Sequence, residues 1–370
     1  MKKQIFAALL LTISIQPLWA DSPQPLIVPP GFSIETLNFE APNARQMALT
    51  EAGTLILGTR RAGKVYAVPN ALTDPNPQVV TLLSDLKMPS GVAVQNGDLY
   101  IGAVERILKI TDIDRQVKAD APFTVVTDKL PSESHHGWKY LKFGPDRFLY
   151  VPVGAPCNIC LSDDPRFASL LKMDPSSGAT TLYAQGIRNT VGFAWHPTDN
   201  SLWITDNGRD MMGDDIPPEE LNVATGPGNH FGYPFVHGDD IADPEFGDHK
   251  DKSKHTFTPP ALKIQAHSAA LGITFYDSAQ FPQNYRNAIF IAEHGSWNRS
   301  KKVGYQVSVV LPKADGVLSY QPFVTGWLVD EKSSGRPNDV LVTPDGSLLI
   351  SDDQRGVVYR VRYNGAIAGK

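Results

Sequence analysis

The chain has 370 residues, 42 % of them hydrophobic and 20 % charged, with a formal net charge of −5. That balance excludes a disordered chain, a collagen-like chain and a multi-span membrane protein. No basic surplus exists to neutralise phosphates, which argues against nucleic acid as a partner.

Lys2 and Lys3 precede the apolar run from Ile5 to Ile15, and Pro17 and Leu18-Trp19-Ala20 follow it. Charged, apolar and small-residue regions in this order form a secretory signal, and the run is too short to span a bilayer. The sequence therefore predicts a cleaved signal over 1–20, a secreted, periplasmic protein and no integral membrane segment. Cleavage removes two lysines and takes the −5 of the whole chain to −7. The remainder, 21–370, shows no break in composition and reads as one domain.

From Met47 onward one pattern recurs. An apolar strand leads to a Gly-, Pro-, Asp- or Asn-rich turn, and a second strand ends in small or polar residues. The six copies begin at Met47, Val92, Leu141, Phe193, Ile273 and Val340. Their second strands, counted from Leu57 through Ile101, Val151, Ile204 and Ile291 to Ile350, recur after 44, 50, 53, 87 and 59 residues. These intervals fit four-stranded propeller blades, with an insertion around 206–270 in the fourth. The predicted fold is all-β, a six-bladed β-propeller. The run from Phe32 to Leu37 is expected to complete the last blade, because ring closure removes the sheet edges that template aggregation.

A hairpin returns to the end from which it starts, so residues before each first strand and after each second strand gather on one axial face. Arg45, His135-His136, Arg188-Asn189, His267 and Arg336 stand on one side of that list. Arg60-Arg61, Glu105, Asp206-Asn-Gly-Arg-Asp210, Glu293-His294 and Asp352-Asp353 stand on the other. Convergent polar groups at a concave mouth mark the binding site. His136 is a candidate general base. Arg188 offers a planar fork for a carboxylate, and Asn189 a donor and an acceptor. Six carboxylates fall between Asp206 and Asn222, punctuated by Gly and Pro, a composition suited to Ca²⁺. The Glu293-His-Gly-Ser-Trp-Asn-Arg299 stretch and Arg336 add cations, and arginines that converge on one axis call for an anion between them. Cys157 and Cys160, the only cysteines, are expected to form a local disulfide.

His136 eight residues before Gly144-Pro-Asp146, Gly-x-Arg-Asn at 186–189, Asp-Asn-Gly at 206–208, Glu220-Leu-Asn222 and Asn229-His-Phe-Gly-Tyr-Pro234 together resemble the soluble glucose/sorbosone dehydrogenases. The Trp-Lys-Tyr-Leu, Cys-Asn-Ile-Cys and Glu-His-Gly-Ser-Trp-Asn-Arg stretches look closest to the sorbosone dehydrogenase-like branch. The resemblance spans most of 26–363. It implies a six-bladed propeller that oxidises a sugar or sugar aldehyde with pyrroloquinoline quinone (PQQ) and Ca²⁺. It makes His136 the base, Arg188, Asn189 and Arg336 cofactor contacts, and the carbonyls of Gly208 and Arg209 the catalytic calcium ligands; Arg299, in the basic stretch after Glu293, is a further candidate contact for the anion. Glu220 and the backbone near Phe231 match a structural calcium site. The sequence departs from the family in Arg209 for Pro, Phe231 for Tyr, Asn338 for a second Arg, and His135 for an acidic neighbour of the base.

Two other readings compete. One is a Ca²⁺-dependent lactonase or esterase that uses Asp206, Glu105, Glu293 and Asp352. The other is a non-catalytic ligand-binding propeller. The sequence names no particular sugar, no electron acceptor and no oligomeric state.

Overall fold

The computed structural model describes residues 25–312 and 316–365; the signal expected over 1–20 lies outside them. Five four-stranded antiparallel sheets, and a sixth whose four antiparallel strands gain a short parallel fifth, form the blades of a propeller. Blade 1 contains Ala44–Leu49, Leu55–Thr59, Val65–Val68 and Val80–Leu83, and blade 2 follows with the same hairpin alternation from Gly91–Gln95 to Thr124–Thr127. The inner strands of blades 3 to 6 are Lys142–Phe143, Phe193–Trp195, Ala270–Phe275 and Pro337–Val342. All six expected hairpins are present at the expected positions. Their short turns and strict alternation leave little choice of register.

Blade 6 is closed as expected. Phe32–Thr36 pairs antiparallel with the last strand, Phe32 opposite Tyr363 and Thr36 opposite Tyr359. The first strand of the chain thus becomes the outer strand of the final blade. Phe32 seals the joint, with edge-to-face contacts to Phe281, Phe323 and Tyr363 at 4.8, 5.2 and 5.0 Å. Apolar clusters fill the spaces between neighbouring blades, with Leu349 and Val358 of blade 6 packed on Met47 and Leu57 of blade 1.

Within 206–270 lie the third and fourth strands of blade 4, Glu219–Ala224 and Leu262–Ile264. The chain between them adds a small hairpin, Val236–His237 with Ile241–Ala242, and a parallel bridge of Asn229–His230 to the outer strand of blade 3. No helix of the described residues is long and apolar enough to cross a membrane.

Closing the ring through Phe32 has a measurable consequence. Phe32→Ala removes a half-buried ring from four aromatic neighbours and should lower the unfolding free energy by about 3 kcal/mol. A urea midpoint equal to that of the wild type would show that the joint contributes nothing.

Candidate active site

The connections before the inner strands and after the second strands meet at one end of the axis and line a funnel of about 750 Å³, open mouth included. His136, Arg188, Asn189, Gly208 and Arg336 all face it, drawn from blades 3, 4 and 6 and the loops that precede them. Arg45, Arg60, His267 and His294, listed above as rim residues only by position, face it too.

His136 sits in the left-handed region, φ 48°, an unfavourable conformation for a residue with a side chain. Gly154 makes room for it, since a Cβ there would lie 2.5 Å from the Cβ of His136. Its Nδ1 lies 2.9 Å from the Ala155 carbonyl oxygen. A carbonyl only accepts, so Nδ1 carries the proton and Nε2 keeps its lone pair. Burial, then the Arg188 and His135 charges, hold its pKa far below the usual imidazole range. The ring is therefore neutral and able to accept a proton, and a bound anion would make it more basic.

Arg188 is held by the loop that the two cysteines close. Cys157 and Cys160 form a disulfide, and the Cys160 amide donates to the Tyr233 hydroxyl at 3.1 Å. Between them Asn158 accepts from Arg188 Nε on its carbonyl and from Nη2 on Oδ1, both at 2.8 Å. Asn158 Oδ1 also takes the Asp210 amide at 2.8 Å. Arg188 further donates to the Asp210 carboxylate at 3.0 Å and to the Asn207 carbonyl at 3.1 Å. Four of the five guanidinium N–H groups are thereby used, and one on Nη1 remains for a ligand.

Opposite, Asp353 is shared by Arg45 Nη1 and His294 Nε2, each at 2.7 Å. Burial opposes its charge, but His294 and Arg45 hold its carboxyl well below the usual carboxylate range. With its amide oxygen toward Arg45, Asn338 accepts from Nε at 3.2 Å and Nη2 at 2.8 Å. Asn338 thus holds Arg45 in place. Arg336 donates from Nε to the His294 carbonyl at 2.9 Å and from Nη2 to the Gly295 carbonyl at 2.5 Å, which leaves both Nη1 protons free.

Gly208 also lines the funnel, and its amide donates to Glu219 Oε2 at 2.8 Å. Glu219, which the sequence reading missed, is a buried funnel residue whose pKa is pushed up to about 8, chiefly by burial. The signal for it was its place beside Glu220, since alternate residues of a strand face opposite ways. Glu220 is buried away from the funnel, with Gly238 N donating to Oε1 at 2.7 Å and Asn222 Nδ2 to Oε2 at 2.9 Å. Asn222 Oδ1 beside it is buried without a partner.

Not every expectation holds. Arg299 does not reach the funnel. Its guanidinium donates to the Asp214 and Ala266 carbonyls and meets the Asp215 carboxylate at 3.3 Å. Its chain neighbours Trp297 and Asn298 face inward, so Arg299 turns outward and pins the 214–215 loop. The Arg209 side chain pairs with Asp243 at 2.6 Å and Glu245 at 2.9 Å, away from the funnel, which agrees with the expectation of its carbonyl rather than its side chain as a ligand. The Phe231 ring is packed in the core between blades 3 and 4 and its amide donates to the Gln185 carbonyl, so any ligand near it would be a main-chain oxygen, as the resemblance implies. The four carboxylates of the lactonase reading do not converge. Asp206 accepts the Arg188 and Asn189 amides, Asp352 the Arg336 amide, Glu105 faces Arg106, and Glu293 is bound inside blade 5 by Gln306 and Tyr320. Among the described residues no three His, Cys, Asp or Glu side chains form a metal cage.

Fold and site define a six-bladed propeller with an arginine-lined axial funnel and a neutral imidazole in its wall. Known proteins share the fold. An uncharacterized protein of Borreliella burgdorferi is 33 % identical over 376 residues, 97 % of each chain. A family model described as TrAA12-like matches residues 232–364. The chain belongs to the family of the Borreliella protein, and its fold is shared with solved structures of sugar dehydrogenases. Among solved structures, the calcium structure of the Trichoderma reesei carbohydrate-active enzyme of family AA12 aligns with a TM-score of 0.77 at 20 % identity, over 94 % of this chain and 99 % of that one. The holo form of the pyranose dehydrogenase PQQ domain from Coprinopsis cinerea aligns with a TM-score of 0.75 at 17 % identity, over 93 % and 99 %.

Two stability tests follow from the braces. Asn158→Ala strands one Arg188 donor, Nη2, and the Asp210 amide, and should cost about 1–3 kcal/mol of unfolding free energy; unchanged thermal unfolding would show that the loop side chain does not hold the arginine. Asp353, with its folded pKa depressed, adds stability that is present above its unfolded value of about 4 and is lost as pH falls toward the folded one. The stability gap between wild type and Asp353→Asn should therefore narrow between about pH 5 and pH 2, and a gap independent of pH would rule the pairing out.

Proposed function

We propose that the protein is an exported dehydrogenase that oxidises a sugar or sugar aldehyde with PQQ and Ca²⁺. The observation that carries this reading is the neutral His136, with Nε2 unprotonated, in one funnel with Arg45, Arg188 and Arg336. PQQ is an ortho-quinone with three carboxylates. The free N–H groups of Arg188 and Arg336, and the arginine charge around them, fit such an anion. For the catalytic ion, the Gly208 carbonyl would be the ligand in the funnel wall, with the buried Glu219 carboxyl behind it, whose raised pKa a bound cation would bring down. The unpartnered Asn222 Oδ1 next to buried Glu220 fits a second, structural calcium.

When bound, the quinone supplies the two-electron acceptor and Ca²⁺ the Lewis acid that polarises it. The chain's own part is positional and protonic. His136 Nε2 takes the proton from the sugar hydroxyl or hydrated aldehyde, while the Ala155 carbonyl fixes the tautomer that can do so. Arg188 ties Asn207 and Asp210 to the disulfide loop and so keeps the Gly208 segment in place. Asn189 stays aligned because Asp206 accepts its amide at 2.7 Å. Buried walls around the imidazole keep water from competing for its lone pair. Reoxidation falls to an external electron acceptor.

The test is an absorbance titration of the protein with PQQ, with and without Ca²⁺, followed by a panel of aldoses and sugar aldehydes with a dye acceptor. Calcium-dependent binding and dye reduction are expected, and His136→Ala should lower kcat by about two to four orders of magnitude. No quinone reduction with any sugar would overturn the reading, and normal turnover in His136→Ala would remove that residue from it.

A further inference from the structure

Four guanidinium groups line the funnel; two have ion pairs, and a third has carbonyl acceptors for its Nε and Nη2. Arg45 has Asp353, Arg188 has Asp210, and Arg336 lies across two carbonyls. Arg60 is the exception. It directly follows strand Leu55–Thr59 of blade 1, where Asn43 Oδ1 accepts its backbone amide at 3.1 Å and that of Ala62 at 3.3 Å. The base of the side chain is thereby fixed, and the guanidinium lies over the Trp138 indole, 3.7 Å from the ring centroid.

No carboxylate among the described residues forms an ion pair with Arg60. Its Nε is buried without an acceptor, and so is Nε1 of the Trp138 beneath it. Burial, then Arg45 and Arg61, push its pKa down to about 10, so it stays charged at neutral pH. Buried donors almost always find acceptors, and a desolvated cation needs a counter-charge. Water would satisfy an N–H but would not balance the charge. The Asp353 charge that acts on Arg60 is already shared by Arg45 and His294, and two orphaned donors beside a planar fork without an ion pair match a carboxylate.

The position says which molecule brings it. Trp138 is two residues from the base, and its ring centroid lies 5.9 Å from that of His136. Whatever Arg60 grips therefore lies beside the reacting end of the funnel. The free Nη1 protons of Arg336, which leans on Tyr305 from blade 5, belong to another part of the wall.

We propose that Arg60 and Trp138 form a carboxylate subsite for the substrate, so that the sugar oxidised is an acidic one, a uronate or a related aldose acid. This deepens the dehydrogenase reading and rests on it. The carboxylate anchors the sugar and takes no part in the redox step.

The test uses the PQQ- and Ca²⁺-loaded protein with glucuronate and glucose as probes. Wild type should favour glucuronate in kcat/KM. In Arg60→Gln the glucuronate-to-glucose ratio should fall at least about tenfold, the loss of a charge-assisted pair, carried by KM rather than kcat. Arg60→Lys, which keeps the charge but not the fork, should recover part of the ratio. The second readout is the absorbance titration of each variant with PQQ. A PQQ affinity that drops tenfold in Arg60→Gln while the sugar ratio stays put assigns the carboxylate to the cofactor and overturns the substrate assignment. So does a wild type that prefers glucose. If the wild type takes up no PQQ at all, the dehydrogenase reading fails separately. Calorimetry of glucuronate with the same chain then decides the subsite: binding weakened tenfold in Arg60→Gln supports it, and equal binding overturns it.

Discussion

Holding several guanidinium groups in one partly desolvated funnel is the constraint around which the rest of the structure is arranged. Two unit charges 6 Å apart repel by about 3 kcal/mol at an effective dielectric of 20, and more as water is removed. The protein meets this with fixed counter-charges. Asp353 divides its two oxygens between Arg45 and His294, and Asp210 takes Arg188. Carbonyl oxygens serve Arg336, where a carboxylate would cancel the charge that an anion must find.

The propeller repeat supplies the braces. Asp206 ends the second strand of blade 4, and Asp352 ends the second strand of blade 6. Each turns its carboxylate onto backbone amides at the head of the neighbouring inner strand, Asp206 onto Arg188 and Asn189, Asp352 onto Arg336. Burial raises both pKa values, Asp206 to about 7, but the amide donors favour the charged form and restrain the rise. Glu293 ends the matching strand of blade 5, yet its extra methylene carries the carboxylate to Gln306 and Tyr320 inside the blade. The same sequence position thus anchors a funnel arginine in two blades and stiffens the sheet in a third.

This repeat is also why so much was legible in the sequence. Hairpin alternation fixed which residues share the axial face, so His136, Arg188, Asn189, Gly208 and Arg336 could be grouped before any coordinates existed. Direction of side chains was not legible. Arg299 sits in the same stretch as Trp297 and Asn298 but turns to the carbonyls of Asp214 and Ala266, because a loop residue follows local hydrogen-bond demand rather than a period. Asn158 was hidden for a different reason. Its partners Arg188 and Asp210 lie 30 and 52 residues away, and two cysteines show only that a loop is closed, not what the closed loop holds.

The funnel owes its precision to rigid backbone more than to paired side chains. His136 keeps a left-handed conformation that costs on the order of 1 kcal/mol or more, and it persists only because its surroundings over-determine it. The Ala155 carbonyl fixes the ring and the glycine at 154 admits it. Arg188 enters with four donors already engaged, so little rotamer entropy is left to lose when a ligand takes the fifth. Such a wall can hold an anion tightly with few direct contacts. By the same logic, Arg60, whose buried Nε finds no acceptor among the described residues, is the one whose partner must arrive with the ligand.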